Sequence, residues 1–349
     1  KQARENNKKI IYHAHSTEED FKNSFMFSNT FASLYKKWLV YLYNSADVII
    51  TPTPYSKSLL ESYDLNKEIY AISNGVDVAQ FNPTSKQINE FTQQFHISEE
   101  DKLVISVGWL FERKGFDTFV EVAREMPHVK FMWFGDVRLS NPTSKIKKLL
   151  KELPKNLILP GYVSGDIIKG AYGRADVFFF PSREETEGIV VLEALACKTQ
   201  ILLRDIPAFD PWMQDQVNCY KGKTNQDFID YINKIINHEL PSTVEEGYKV
   251  AKERDLLLIG KQLKEVYEKV PNSYSVLMPF AYSYFEEMIR TTTSEYGLPL
   301  FDRNQKPVRV KVGMALINLA IEENKDNTEY IALLEKAKRF QMMKTGETE

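Results

Sequence analysis

Short, almost wholly apolar runs alternate with helix-length stretches along most of this chain, and few architectures accommodate that pattern. In residues 103–107, 129–134, 157–159, 176–180 and 200–203 most positions are apolar, and a helical or loop segment follows each run. Strands of this kind are covered on both faces, as in a parallel sheet wrapped by helices. Residues 9–12, 47–51 and 68–72, separated by helical stretches at 30–44 and 55–63, repeat the pattern earlier in the chain. Between the two series, residues 83–102 begin with Pro83, carry few apolar residues in register and read as a linker. The expected fold is α/β, with Rossmann-like, doubly wound domains at 1–82 and 103–270. Ligands of such sheets sit beyond the carboxyl ends of the strands, so Gly108, Gly135, Gly161 and Ser182 mark one rim of a cleft. Helical stretches at 225–237, 243–254 and 256–270 close the second domain. Residues 271–349 differ in character and read as a helical C-terminal segment of unassigned role.

Composition removes several function classes. The 349 residues carry a net charge of −3 with both signs interspersed, which gives no global electrostatic case for nucleic acid. Cys197 and Cys219, the two cysteines, form neither a metal pattern nor a disulfide framework, so a reducing cytoplasm is expected. No apolar run reaches the roughly 18 residues of a membrane span, and no secretory leader opens the sequence. Any membrane contact is therefore expected to be peripheral. The chain starts without Met in a polar stretch, so the first domain is expected to be incomplete and to lack N-terminal strands.

The run FFFPSREETEGIVVLEALAC at 178–197 carries the most chemistry. It reads as a strand, a polar turn and a helix starting near Gly188. The N–H groups of Gly188, Ile189 and Val190 at that helix start form a ready site for a diphosphate. Glu193, about one turn further, can accept the two hydroxyls of a ribose, and Glu185 in the turn can reach a sugar beyond the phosphates. On spacing alone, Glu185 and Glu187 as solvated turn residues and Glu193 as an exposed helix residue would be the better reading.

The flanking motifs reverse that balance. The run resembles the family 4 retaining glycosyltransferases, in which a strand ending in Pro-Ser leads to paired glutamates and a helix of small residues. The resemblance extends, in order, to SNGVD at 73–77 with Phe81, VGWLFERKG at 107–115, FGD at 134–136, GYV at 161–163 and Tyr172 with ADVFFFPS. It implies a GT-B fold, two Rossmann-like domains with a cleft between them, the first serving the acceptor and the second the nucleotide-sugar donor. It also implies that Gly108, Gly135, Gly188, Ile189, Val190 and Glu193 hold the donor. A basic pair after the first donor-domain strand, here Arg113 and Lys114, would neutralise the charge developing on the diphosphate. The family commonly has Arg directly after the first Gly of this motif. This chain has Trp109, which leaves Arg113 as its substitute. A histidine at the end of the strand at 10–12 would face the reacting sugar; His15 is preferred, with His13 the competitor because strand alternation admits either. No metal is implied, since helix amides and the basic pair take the place of a cation.

HSTEEDF at 15–21 together with EETEGIVVLEA at 184–194 resembles the diacylglycerol α-glucosyltransferases of Gram-positive bacteria. That resemblance implies UDP-glucose as donor, a membrane-lipid hydroxyl as acceptor, and peripheral association with the inner face of the plasma membrane. The stretch SFMFSNTFASLYKKWLVYLY at 24–43 has the aromatics and lysines of a membrane interface, although its apolar residues would serve equally as core. A soluble glycan acceptor and a catalytically silent nucleotide-sugar-binding protein are the alternatives.

Overall fold

The computed structural model describes residues 7–24, 26–135 and 142–270, so the segment 271–349 lies outside the described residues. The chain divides into two compact units, 11–265, and 1–10 with 266–349. The lobes and site below belong to the first.

Its first lobe is a parallel sheet of three strands, β1 (Ile11–His13), β2 (Val48–Thr51) and β3 (Glu68–Ala71), in that spatial order. A short helix α1 (Glu18–Phe21) and the long α2 (Ser28–Asn44) connect β1 to β2, and α3 (Pro54–Glu61) connects β2 to β3. Leu39, Tyr43, Ile49, Leu60, Tyr63 and Ile69 form the core of this lobe. Helix α3 starts where a capping box dictates: Thr53 accepts from Ser56 N–H, Ser56 answers to the Thr53 amide, and Pro54 follows directly.

The second lobe is a six-stranded parallel sheet in the order β6-β5-β4-β7-β8-β9. Its strands are β4 (Leu103–Val107), β5 (Lys130–Phe134), β6 (Leu157–Gly161), β7 (Val177–Phe180), β8 (Ile201–Arg204) and β9 (Tyr220–Gly222). Alternate residues of the apolar strands feed two cores. Ile105, Met132, Phe134, Phe178, Phe180 and Leu203 face one side, whereas Val104, Phe131, Trp133, Val177, Phe179 and Leu202 face the other. Burial of both faces is the physical reason that these strands read as unbroken apolar runs.

Segment 83–102 holds more than the expected linker. Helix α4 (Ser85–Phe95) opens on a second capping box, Thr84 with Gln87, and packs on α7 (Asp166–Arg174) of the second lobe. Phe91 is its one buried residue, its ring 6.3 Å from that of Phe134 and tilted by 52°. Between β4 and β6 lie α5 (Phe116–Glu125) and α6 (Ser144–Leu149); α8 (Ile189–Ala196) follows β7, and α9 (Asn225–Ile236), α10 (Val244–Glu253) and α11 (Leu256–Lys269) end the described chain. At the α10–α11 joint the backbone returns to the first lobe. Val76 N–H donates to Arg254 O at 2.9 Å, and Leu256 N–H donates to Val76 O at 3.2 Å.

The α4–α7 contact is close enough to require glycine. A Cβ on Gly170 would lie 2.2 Å from Gln87 O and 2.8 Å from Phe91 Cβ, whereas one on Gly260 would meet nothing within 4 Å. Gly170→Ala should therefore lower Tm by several degrees. Gly260→Ala should leave it unchanged or raise it, since alanine is favoured over glycine in a helix by about 1 kcal/mol. Thermal melts of the two variants beside wild type check the pair; equal shifts would contradict the packing.

Candidate functional site

The loop after β4 and the turn after β7 are laminated against each other. Gly115 has φ 75°, and a Cβ there would stand 2.2 Å from Pro181 O, so only glycine permits this approach. Arg183 N–H donates to Arg113 O at 2.7 Å. This contact carries the Lys114 side chain onto Glu185. The ammonium lies 2.5 Å from Glu185 Oε1, and the Ser182 hydroxyl donates to the same oxygen at 2.6 Å. Burial pushes the Glu185 carboxyl up, but the charges of Lys114 and Arg113 and the two hydrogen bonds outweigh it and hold Glu185 below the ordinary carboxylate range. Burial lowers Lys114, with Glu185 opposing.

Arg113 joins the same cluster. Its Nη1 donates to Glu184 O at 3.0 Å and its Nε to Ser24 Oγ at 3.1 Å. Trp109, by contrast, projects outward, half exposed and stacked on Phe111 at 6.0 Å.

The turn also grips the first lobe. Thr53 Oγ1 donates to Thr186 O at 2.7 Å, and the Tyr55 hydroxyl donates to Glu184 Oε1 at 2.9 Å. Glu187 accepts from the Ser73 hydroxyl, from Asn74 N–H at 3.0 Å and from Asn74 Nδ2 at 2.7 Å. Glu185 and Glu187 are 4% and 2% exposed, so neither is a solvated turn residue. Burial raises Glu187, with the Ser73 and Asn74 donors pulling it back. Burial pushes Glu184 up to about 7; Glu19 and Glu185 add to the rise, while Tyr55 and Arg113 oppose it.

Helix α8 begins at Gly188, whose φ of 86° turns the chain into the helix without a side-chain cap. Gly188, Ile189 and Val190 thus supply the opening amides, with the positive end of the helix dipole behind them. One turn on, Glu193 is half-buried and accepts from the Tyr172 hydroxyl at 2.9 Å. Burial raises Glu193, and this hydrogen bond moderates the rise. The arrangement can bind an anion at the helix start, hold a diol at Glu193 and neutralise developing charge from Lys114 and Arg113.

Two glycines have packing reasons of their own. Gly135 donates its amide to Gly161 O at 3.0 Å, and a Cβ on it would stand 1.9 Å from Gly108 O. The Gly108 amide goes to Phe134 O at 2.8 Å. His13 and His15 both follow or end β1 with exposed side chains, and their rings stack at 6.3 Å. Loss of part of their hydration lowers both, His13 further through the charge of His15. The same extended segment thus presents both imidazoles on one side.

Sequence reasoning missed Tyr55, Ser73, Asn74 and Tyr172 as partners of the glutamates, and Asp20. Burial raises Asp20, which lies within electrostatic reach of Arg113, Lys114 and Glu185. SNGVD and Tyr172 stood among the motifs; their pairing with particular carboxylates was the missing information.

Comparison with known proteins accords with this geometry. The model of Glycosyl transferases group 1 matches residues 87–254, and that of Glycosyltransferase Family 4 matches residues 1–80. The processive diacylglycerol alpha-glucosyltransferase of Acholeplasma laidlawii is 45% identical over 262 residues, 75% of this chain and 79% of that protein. The alpha-galactosylglucosyldiacylglycerol synthase of Streptococcus pneumoniae is 26% identical over 193 residues, 54% of this chain and 52% of its own length. Among solved structures, Anabaena HepE in complex with UDP-glucose superposes with a TM-score of 0.67 at 18% identity, covering 76% of this chain and 74% of that one. A sucrose-phosphate synthase from Thermosynechococcus elongatus gives 0.63 at 18% identity, over 74% and 67%. The two-lobed GT-B fold is shared.

Glu184 supplies a pH test. Its folded value of about 7 exceeds the ordinary 4.5, so its contribution to stability is complete below 4.5 and is lost as pH rises through 7. The Tm of wild type minus that of Glu184→Gln should therefore fall between pH 5 and pH 8. A pH-independent difference in calorimetric melts would show that Glu184 titrates normally.

Proposed function

The chain belongs to the family 4, group 1 glycosyltransferases, and we propose that it transfers glucose from UDP-glucose to the hydroxyl of diacylglycerol with retention at the anomeric carbon. Hexosyl transfer is the family's chemistry. The observation that carries the lipid acceptor lies on α2. Phe31, Leu34, Trp38 and Tyr41 are 54%, 63%, 53% and 80% exposed, and Phe27, which precedes the helix, is 64% exposed. Their spacing of three and four residues makes one stripe, opposite the buried Ser28, Ala32, Leu39 and Tyr43. A soluble protein does not ordinarily expose such a stripe without an occupant. A lipid interface suits it, since aromatic rings favour the headgroup region, and the Acholeplasma and Streptococcus relatives are named for diacylglycerol lipids. Lys37 is exposed at the stripe's edge, whereas Lys36 turns back onto Glu18 at 3.6 Å and over the Tyr63 ring at 4.3 Å. The electrostatic attraction to anionic lipid therefore rests on Lys37 rather than on both lysines. Among the described residues no helix is long and apolar enough to cross a membrane. Peripheral attachment at the inner face of the plasma membrane follows as part of the reading.

At the site, the α8 amides would bind the diphosphate, Glu193 the ribose and Glu185 the hydroxyls of the transferred sugar. One of the extended-segment histidines, His15 by preference, would face the anomeric carbon. As the glycosidic bond to the diphosphate breaks, negative charge grows on the leaving oxygen. Lys114 has three N–H donors and commits one to Glu185, so it can meet that charge without leaving its partner. Arg113 supplies the second positive charge. These groups take the place of a metal ion, and turnover is expected to persist in EDTA.

The test is transfer from UDP-glucose to diacylglycerol vesicles, read by mass spectrometry, with a soluble sugar panel alongside. Glucosyl-diacylglycerol is the expected product. Equal transfer to soluble sugars, or UDP binding with no turnover, would overturn the acceptor assignment or the activity respectively. Phe31→Ser/Trp38→Ser should abolish vesicle sedimentation while leaving UDP affinity intact. Lys114→Ala and Arg113→Ala should each lower kcat more than they weaken UDP binding, because their charges act chiefly in the transition state.

A further inference from the structure

Arg113 belongs to the second lobe, where its Nη1 donates to Glu184 O, yet its Nε and its backbone amide are both held by the first lobe. Arg113 N–H donates to Asn23 O at 3.0 Å. Its Nε donates to Ser24 Oγ at 3.1 Å, and the Ser24 hydroxyl in turn donates to Asp20 O at 2.9 Å. Ser24 is 6% exposed, so its hydroxyl has little access to water as an alternative partner. Asn23 is itself held in the left-handed region at φ 56° by a reciprocal pair with Asn29. The Asn23 amide donates to Asn29 Oδ1 at 2.9 Å, and Asn29 Nδ2 donates to Asn23 Oδ1 at 2.9 Å. Asn29 lies in the first turn of α2, the helix that carries the exposed apolar stripe. The other end of the segment is equally tied: Thr17 caps α1, the Tyr63 hydroxyl accepts from Glu18 N–H at 2.7 Å, and the Tyr43 hydroxyl donates to Ser16 O at 2.8 Å.

We propose that Ser24 and Asn23 are positioning residues for Arg113, so that the catalytic arginine takes up its working orientation only while the segment at 20–24 of the acceptor lobe is docked against it. This rests on the role of Arg113 proposed above. The physical argument is geometric. Nη1 is held by Glu184 O of the turn after β7, Nε has Ser24 Oγ as its described partner, and the Arg113 backbone amide ends on the neighbouring Asn23, so the 20–24 loop fixes both the backbone and one edge of the guanidinium. Rotamer freedom of an unanchored arginine would spread the charge over positions remote from the leaving oxygen. A conditional arginine also guards the donor: with the lobes apart, one of the two charges that assist departure of the diphosphate is misplaced, and transfer of the sugar to water is slowed.

The experiment compares Ser24→Ala, Ser24→Thr and Arg113→Ala, singly and with Ser24→Ala combined with Arg113→Ala, in full-chain protein with UDP-glucose and diacylglycerol vesicles. Ser24→Ala should lower kcat on the order of tenfold, the size of a lost charged hydrogen bond, while the Kd for UDP stays within about twofold. Ser24→Thr, which retains the hydroxyl, should restore most of the rate. In the Arg113→Ala background, Ser24→Ala should have no further effect on kcat. Additive losses in the double variant, or failure of Ser24→Thr to rescue, would overturn the positioning role. The Arg113 Nε–H resonance in NMR spectra, identified by its loss in Arg113→Ala, is the second readout, and it needs no turnover. It should shift in Ser24→Ala, and an unmoved resonance would overturn the contact. Absence of transfer by wild type would contradict the proposed reaction instead, and the resonance would still decide whether Ser24 holds the arginine.

Discussion

The turn between β7 and α8 is hydrogen-bonded to both lobes at once, and the site depends on that. Glu185 is tied to Lys114 of the second lobe, and Glu187 to Ser73 and Asn74 of the first. Both carboxylates are nearly inaccessible to water. A buried carboxylate that loses its partners costs several kcal/mol, so parting the first lobe from the turn leaves Glu187 without its donors unless water replaces them. Two residues apart, the two glutamates therefore act as opposed anchors. Thr53 and Tyr55 add neutral hydrogen bonds on the acceptor side, and Tyr55 does so through Glu184, whose charge is itself marginal near neutrality.

The anchoring divides the chemistry sensibly. Lys114 and Arg113, the charges proposed to answer to a leaving diphosphate, sit where the turn meets the loop after β4, while the α8 amides open one residue beyond Glu187. The partner types also differ with purpose. Glu185 is matched by the charges of Lys114 and Arg113, which hold it below the ordinary carboxylate range, while burial lowers Lys114 against the opposing pull of Glu185. Glu187 is held by neutral hydrogen-bond donors, and the charge of Arg254 also favours its ionised form. Glu193 and Tyr172 form a third pair deeper in the donor lobe, orienting the carboxylate that the ribose would meet.

Much of this was legible from residues alone, for identifiable reasons. The strands of the donor lobe were readable because burial on both faces leaves no polar alternation to confuse them. Helix α4 was not, since Phe91 is its one buried side chain and most of its other positions, SKQINE and TQQ, are polar and look like a linker; the Thr84 and Gln87 capping box was the available signal. Strand β9 is three residues of mixed character, YKG, too short for any periodicity to register. Glu185 and Glu193 stood out through their motif, but Glu187 reads as a solvated turn residue until the fold brings Ser73, 114 positions away, against it. Lys36 and Lys37, the lysines of the stretch at 24–43, are neighbours in sequence and read alike as residues of a membrane interface. A helix turns successive residues by about 100°, and that rotation sends Lys36 to Glu18 and leaves Lys37 outside.

The central claim is that a nucleotide diphosphate binds at the start of α8 with its ribose on Glu193. Titration calorimetry of UDP alone against wild type and Glu193→Ala addresses it without requiring turnover or an acceptor. Loss of a charged hydrogen-bonding group of roughly 1.5–3 kcal/mol predicts a Kd weakened about tenfold or more in a variant that still melts cooperatively. An unchanged Kd in that folded variant would remove Glu193 from the donor site and contradict the account.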